Sequence, residues 1–405
     1  TPFEAHEIIC LIADAVLAGG IRRAALISLF DRDDLDMLYC KSEDWFCLKP
    51  HLARANNSAV MPRGQVTEEE FQALWEIISA NKTGEPGIYF TNDKNVGCNP
   101  CNEASLNPFT FCNLTTLNAY LINTQQELEE AASAAALIGT LQSSYTDFHY
   151  LRPIWKEETE KDALIGVSIT GLATKEFLDL DFNQAAHVVT ATNKEISKLI
   201  GINYAARTTL LKPEGTTSSL LGTSSGLHPW HSQYYIRRFR IGKNEDLYWY
   251  LVREIPELVE DDVEKPHLQA IVSIPIKAPS SALFRWEGPI ALLERMKDIY
   301  NRWIIPGWNR GINSHTVSIT VSIRDSEWDM VGEWLWENRR YYSGIATLPY
   351  DLGTYKQPPF EEISEQSYDE LIEYLKDIDL MDLKEFDDNT DLTGELACAG
   401  VACTI

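Results

Sequence analysis

The sequence predicts an α/β domain built on mainly parallel strands. Short apolar runs alternate with amphipathic helical segments along most of the chain, the pattern of strands joined by helical crossovers. The 405 residues, 44% of them hydrophobic, suffice for one large core, and a single α/β barrel can absorb such a length. No internal repeat divides the chain into smaller units.

The elements follow in order. Residues 4–17 read as a helix with Ile8, Ile9, Ile12, Val16 and Leu17 on one face. Gly19-Gly20 stops it. "AALISLF" (24–30) is a short buried strand. Thr67 to Glu70 has the Thr-x-x-Glu form of a capping box and opens a helix over 67–80. "GIYF" (87–90) is a strand, and a cysteine-bearing loop follows it. Residues 126–145 are rich in good helix formers. "LIGVSITGLA" (164–173) is a buried strand ending in glycine. Residues 182–211 form a helix and then a strand, and 212–231 a loop rich in Gly, Ser and Thr. "HTVSITVSI" (315–323) alternates strictly, with Val317, Ile319, Val321 and Ile323 on one face. Residues 326–342 are a helix carrying large aromatics.

Two regions are expected: a catalytic α/β body over 1–360 and an acidic segment over 361–405. Residues 361–391 hold 13 acidic side chains against two lysines, so they read as a solvated helix followed by a mobile tail. The tail turns apolar at its end and carries Cys398 and Cys403.

Charge and cysteine usage narrow the function. The net charge of −25 disfavours nonspecific binding to nucleic acid. An anionic ligand would need a local pocket of backbone N–H groups and a few cations. No apolar run reaches the roughly 18 residues of a membrane span, and the start of the sequence lacks a basic leader. Eight cysteines are too sparse for a disulfide scaffold in so long a chain. A reducing cytoplasm is the expectation, with no membrane and no nucleic acid as partner.

Three stretches could carry chemistry. "VGCNPCNEASLNPFTFCNL" (96–114) holds Cys98, Cys101 and Cys112. Cys98-x-x-Cys101 is half of a zinc knuckle, but zinc wants four ligands, usually as two close pairs. A buried, inert thiol is the plain alternative for Cys101. Asn99 and Glu103 point to a third reading, because an amide and a carboxylate beside a thiol supply an orienting group and a general base. Pro213-Glu214-Gly215-Thr216-Thr217-Ser218 reads either as a phosphate loop opening a helix or as an ordinary turn. It is not a Walker A loop. Gly19-Gly20-Ile21-Arg22-Arg23 reads either as a mobile anion-touching loop or as a helix end with cations complementing its dipole.

In order and spacing these residues resemble ribonucleotide reductases. The resemblance runs through "GGIRRAA", "ARANNSAVM", "NPCNE" with Cys112 eleven residues after Cys101, "KPEGTTSSLLGTSSGLHPWH", "NSHTVSITVSI" and a terminal Cys-x4-Cys, over nearly the whole chain. "NNSAV", "LPYDLGTYKQPPFEE" and the "KPEGTTS" form of the loop look most like the adenosylcobalamin-dependent (class II) monomeric ribonucleoside-triphosphate reductases. The resemblance implies a ten-stranded α/β barrel of two half-barrels threaded by a finger loop. It implies Cys101 as a thiyl radical, Glu103 as general base, Asn99 as a sugar ligand, and Cys112 as one thiol of the pair that reduces substrate. Gly215, Thr216 and Thr217 would hold the substrate phosphates. Gly19, Gly20, Arg22 and Arg23 would lie in the loop that links a deoxynucleotide effector to substrate choice. Cys398 and Cys403 would pass reducing equivalents inward from thioredoxin or a similar reductant. The implied cofactor is adenosylcobalamin, and no metal site is implied for the chain itself.

Departures from the family pattern bear on this reading. The family's second active-site thiol lies on an early strand upstream of the "GGIRR" loop, and Cys10, in a helical pattern, is not equated with it. The chain therefore reads as a C-terminal part of a reductase whose N-terminal half is a required partner, inactive alone. A class I diphosphate reductase subunit is one alternative, although Leu348-Pro349-Tyr350 stands where that class carries an adjacent tyrosine pair, and Tyr341-Tyr342 lies earlier. A non-enzymatic zinc or redox-binding protein is another.

Overall fold

Parallel strand pairs form the spine of the molecule. The computed structural model describes every residue except 19–21, 43–44, 82, 264, 351–356, 377 and 385–405. Strands Leu26–Asp31, Ala55–Pro62 and Gly87–Thr91 run parallel in that order. Asn113–Asn118 lies parallel to Ile165–Thr170, and Thr320–Ile323 parallel to Ala346–Pro349. Single parallel bridges, Val167 to Thr209 and Leu211 to Val317, join the last two pairs. Phe90 N–H donates to Ser343 O at 2.6 Å and ties in the first three strands. The strands so linked form a series, and no closed sheet is present among the described residues.

Helices cover this series because each has one apolar stripe to bury. Gln125–Ser143 and Phe182–Ile200 pack on one another, and the first lies over Ile165–Thr170. Small residues of the first helix, Ala132, Ala136 and Gly139, bring its backbone close to the strands, and Asn193 Nδ2 donates to Thr140 Oγ1 between the two. Helix Glu68–Asn81 starts with the predicted box: Glu70 N–H donates to Thr67 Oγ1, and Thr67 N–H to Glu70 Oε2. It packs against helix Trp328–Glu337 through Trp75, whose Nε1 donates to Trp328 O. Trp303, fully buried, donates from Nε1 to Val167 O and Leu210 O. That one indole holds the Ile165–Thr170 strand beside the 207–211 segment.

Several expectations change. The first helix spans Pro2–Ala15, with Thr1 and Glu4 forming a capping box. It buries His6, Cys10 and Ala13 and leaves Ile8, Ile9, Ile12 and Val16 exposed. The inward face is chosen by the fit of Cys10 against Trp45, Leu52, Ala53 and Ala55, not by the larger apolar stripe. Only Thr320–Ile323 of the alternating 315–323 run is strand. Residues 313–319 are buried on both sides, because the cysteine hairpin covers one side and the helices the other. The 326–342 helix is shorter, Trp328–Glu337, and the 212–231 loop contains a helix, Gly215–Leu221.

An antiparallel sheet that the sequence reading did not anticipate flanks the spine. Its order is Val259–Asp261, Gln269–Lys277, Tyr234–Gly242, Phe360–Glu362. Tyr234–Gly242 carries arginines among aromatic and aliphatic residues on both faces and is mostly half-buried, with Tyr235 buried and Arg240 exposed, so no apolar alternation marks it. Helix Glu365–Glu373 follows the edge strand, and Leu371, Leu375, Ile378 and Leu383 pack against Tyr250, Leu251 and Val272.

Candidate active site

The cysteine stretch folds as a hairpin. Gly97–Cys98 pairs antiparallel with Ser105–Leu106. The tip is a tight turn in which Asn102 N–H donates to Asn99 O at 2.8 Å. Pro100 occupies the turn position that its fixed φ suits, and Asn102 takes a left-handed φ of 68°. Cys101 sits between them, half-exposed.

Contacts from three separate segments hold this tip. Asn56 Nδ2, from the second parallel strand, donates to Pro100 O at 2.8 Å. Thr316 N–H donates to Glu103 O at 2.9 Å, and Ser105 N–H to His315 Nδ1 at 3.0 Å. Gly344 passes so close that a Cβ there would lie 1.8 Å from Asn102 Nδ2. Asn99 braces the turn from inside, its Oδ1 accepting from Ala104 N–H at 2.9 Å.

Glu103 is 1% exposed. Burial pushes its carboxyl above the ordinary range, while its own backbone amide, Asn99 and Lys212 partly oppose the shift. One carboxylate oxygen, Oε2, is buried without a hydrogen-bond partner, as are Asn102 Oδ1, Ser105 Oγ and Thr316 Oγ1. Such a concentration of unsatisfied polar atoms is unusual in a folded interior. Cys112 immediately precedes strand Asn113–Asn118 and is a free thiol. Burial, with Glu103 adding to it, pushes its thiol up to about 12. Cys98 is likewise a free thiol raised by burial. Among the described residues no three His, Cys, Asp or Glu side chains come together as a metal site.

The Gly-rich loop lies near enough for its Lys212 and Glu214 charges to act on the Glu103 carboxyl. Glu214, at a left-handed φ of 61°, precedes helix Gly215–Leu221 at the N-cap position without a side-chain capping bond. Thr116 Oγ1 donates to Glu214 Oε1 at 2.6 Å, and Lys212 Nζ stands 3.5 Å from Glu214 Oε2. Gly215 and Thr217 are half-buried and Thr216 exposed. Arg237, from the antiparallel sheet, reaches Gly215 O at 3.5 Å. It also lines a cavity of about 200 Å³ with Trp230, His231, Tyr235, Arg285 and Phe360. Trp230 Nε1, Ser224 Oγ and Thr223 Oγ1, all from residues lining that cavity, are buried without partners. Burial, then Arg285, pushes His231 down to about 4, so its ring is neutral at pH 7.

No family model matches the chain. The chain is 26% identical over its full length to the adenosylcobalamin-dependent ribonucleoside-triphosphate reductase of Lactobacillus helveticus (strain DPC 4571), of which it covers 59%. It is 26% identical to the enzyme of the same description from Lactobacillus leichmannii, covering 60% of it. The chain is thus similar along its length to proteins described as adenosylcobalamin-dependent ribonucleoside-triphosphate reductases. It spans about 60% of the length of these curated relatives. A crystal structure of a B12-dependent (class II) ribonucleotide reductase shares the fold, with a TM-score of 0.74 and 23% identity over 91% of this chain and 56% of that one. The class Id ribonucleotide reductase alpha subunit of Actinobacillus ureae superposes less closely, with a TM-score of 0.53 and 12% identity over 86% of this chain and 74% of that one.

The structure brings some of the predicted residues together and leaves others outside the described part. Asn99, Cys101 and Glu103 share the hairpin tip, and Cys112 follows the hairpin's return strand in sequence. Gly215, Thr216 and Thr217 open a helix. The backbone of Arg22–Arg23 pairs with Leu17–Ala18, and their side chains lie outside the described part. Gly19, Gly20, Cys398 and Cys403 lie outside the described residues. Sequence reasoning missed His315 and Asn56. His315 stood within the quoted "NSHTVSITVSI", yet nothing in its spacing ties it to a cysteine more than 200 positions away.

Proposed function

We propose that this chain carries the radical site of a ribonucleoside-triphosphate reductase that makes 2′-deoxyribonucleoside triphosphates for DNA synthesis. The observation that supports it best is the anchored hairpin tip: Cys101 beside Asn99 and a buried Glu103 whose Oε2 has no partner. We read the linked parallel strands as the larger part of a ten-stranded barrel, completed by the portion that the relatives have in addition. That portion would also supply the second reducing cysteine. The body 1–360 and the segment 361–405 would divide the work between catalysis and thiol delivery.

Adenosylcobalamin, when bound, supplies a radical that ends on the Cys101 sulfur. The cavity beside Arg237 fits the nucleoside end of that cofactor: its aromatic walls can stack a base, and Trp230 Nε1, Ser224 Oγ and Thr223 Oγ1 have hydrogen-bonding capacity to spare. At about 200 Å³ it is too small for a corrin ring, which would have to sit outside it.

The chain's own residues then act as follows. The Cys101 thiyl takes the ribose 3′ hydrogen in a site shielded from water. Glu103 accepts the 3′-hydroxyl proton, for which its raised carboxyl is suited, and Asn99 steadies the sugar. The 2′-hydroxyl leaves as water. Cys112 and its partner thiol give up two electrons and two hydrogens and become a disulfide, and the deoxynucleotide is complete once Cys101 returns the 3′ hydrogen and Glu103 returns the proton to the 3′ oxygen. The first turn at Gly215, Thr216 and Thr217 offers N–H groups to the phosphates, with Arg237 beside it. Cys398 and Cys403 would exchange with the disulfide and with a thioredoxin-like reductant. A deoxynucleotide effector would act through the 19–23 loop, and the cytoplasm is the proposed location; no helix among the described residues is long and apolar enough to cross a membrane.

The chain, supplied with the remaining portion of a homologous enzyme, a ribonucleoside triphosphate, dithiothreitol and adenosylcobalamin, is expected to turn over. Cys101→Ser abolishes that turnover, whereas Cys398→Ser and Cys403→Ser are rescued by dithiothreitol. Turnover that ignores the cobalamin would instead favour a class I enzyme, and normal turnover by Cys101→Ser would overturn the radical assignment.

A further inference from the structure

His315 is buried, lies on the segment that anchors the hairpin, and has no part in the chemistry above. Its two ring nitrogens meet different partners. Nδ1 faces the Ser105 amide at 3.0 Å. A backbone N–H can only donate, so Nδ1 must carry the lone pair and the proton must sit on Nε2. Nε2 in turn faces Ile165 O at 3.3 Å and Cys112 Sγ at 3.8 Å. The imidazole therefore reaches from the return strand of the hairpin to the thiol seven residues later, and it points a donor at the sulfur.

The surroundings keep that proton in place. Burial, with Arg207 adding to it, holds His315 well below its ordinary pKa, so the ring is neutral. Arg207 is itself committed: its NH2 donates to Asp162 Oδ2 at 3.2 Å and its NH1 to Asn313 O at 3.3 Å. The charged groups acting on Cys112 are Glu103, which raises its thiol, and Arg207, which lowers it. His315 Nε2–H, shared between Ile165 O and the sulfur, is the donor that complements them.

We propose that His315 is a positioning residue for Cys112: braced from behind by the Ser105 amide, it fixes the sulfur relative to the hairpin tip and stabilises its thiolate through Nε2–H. This deepens the reductase reading, on which its biological meaning rests, but the contact can be tested without turnover.

The test uses the 405-residue chain and a small probe, 2-hydroxyethyl disulfide, with mixed disulfides at each cysteine read by peptide mass spectrometry. An asparagine at 315 can keep the acceptor for Ser105 N–H but loses the donor, and a glutamine can keep the donor toward Sγ. Losing one hydrogen bond to an ionised sulfur raises its pKa by about one unit. The thiolate fraction then falls about tenfold while intrinsic nucleophilicity rises about threefold, a net slowing of about three- to fourfold. We expect that slowing at Cys112 in His315→Asn and its reversal in His315→Gln, with Cys98 unchanged in both. Equal Cys112 rates in the unchanged chain and His315→Asn would overturn the proposal, as would equal slowing in both variants. Nitrogen-15 NMR of the unchanged chain gives an independent reading should the variants not fold: a proton on Nδ1 of His315 overturns the proposal, and one on Nε2 supports it. Absence of turnover in the reconstituted enzyme would count against the reductase reading and leave these results standing.

Discussion

Glu103 shows how one side chain couples chemistry to stability. Its carboxyl is raised from 4.5 chiefly by burial, so the folded chain holds that proton more tightly than the unfolded chain does. The stability it contributes is full below about pH 4.5 and is lost as pH rises through the raised value. Glutamine fills the same space and does not titrate. Glu103→Gln should therefore gain in thermal midpoint relative to the unchanged chain between pH 5 and pH 8, by an amount equivalent to about 1–3 kcal/mol, the usual cost of a buried unpaired polar group. The same variant should lose about 10²- to 10⁴-fold in turnover, the usual share of a general base. A midpoint difference that is the same at both pH values would show that the carboxyl is not raised by burial. Cys10 illustrates the opposite case. Burial pushes its thiol up to about 11 and His6 down to about 4, so the two, 3.7–3.8 Å apart, meet as neutral groups in a packed cluster, and chemistry there is disfavoured.

At the scale of elements, the hairpin carries the site, and it is held by groups the sequence does not advertise. The sequence showed Asn-Pro-Cys-Asn-Glu only as part of a loop. The placing of Cys101 on a finger loop came from the family resemblance, whereas the tight turn itself follows from the local preferences of proline and asparagine. The capping box at Thr67 and Glu70 was legible because its preferences are equally local. The anchors were not. Asn56, Thr316, His315 and Gly344 are far apart in sequence and meet the hairpin only through the tertiary fold. The first helix misled because its larger apolar stripe faces outward while Cys10 and Ala13 fill the available space. Tyr234–Gly242 escaped notice because arginines occupy both of its faces. The anchors make a prediction of their own. Asn56→Ala removes the 2.8 Å bond to Pro100 O and leaves that carbonyl unpaired, at a cost of about 1–3 kcal/mol in stability. Because a misplaced reacting group can cost about 10²-fold in rate, turnover should fall far more than the melting temperature implies, with the substrate KM little changed. A fall in KM-normalised rate no larger than the loss of folded protein would show that the tip is positioned without Asn56.

For the molecule as a whole, the governing quantity is charge. A chain of net charge −25 is proposed to bind a polyanion, so long-range and local electrostatics must oppose one another. The local side consists of the half-buried Arg237, which reaches the start of helix Gly215–Leu221, and of Arg285 across the cavity. The long-range side is the net negative charge, to which residues 361–391 contribute 13 acids against two lysines. Exposed charges farther apart than a Debye length are screened, and that length falls from about 30 Å at 0.01 M salt to about 8 Å at 0.15 M. Partly buried contacts are screened much less. Added salt should therefore remove repulsion faster than it weakens the pocket, and the association rate of a fluorescent ribonucleoside triphosphate with the chain should rise over that salt range in stopped-flow measurements. Arg237→Ala should leave that rise intact and speed dissociation, since it removes a contact and not the distant field. An association rate that falls as salt is added would mean that a basic funnel outweighs the net charge, and the phosphates would then be steered by cations other than Arg237 and Arg285.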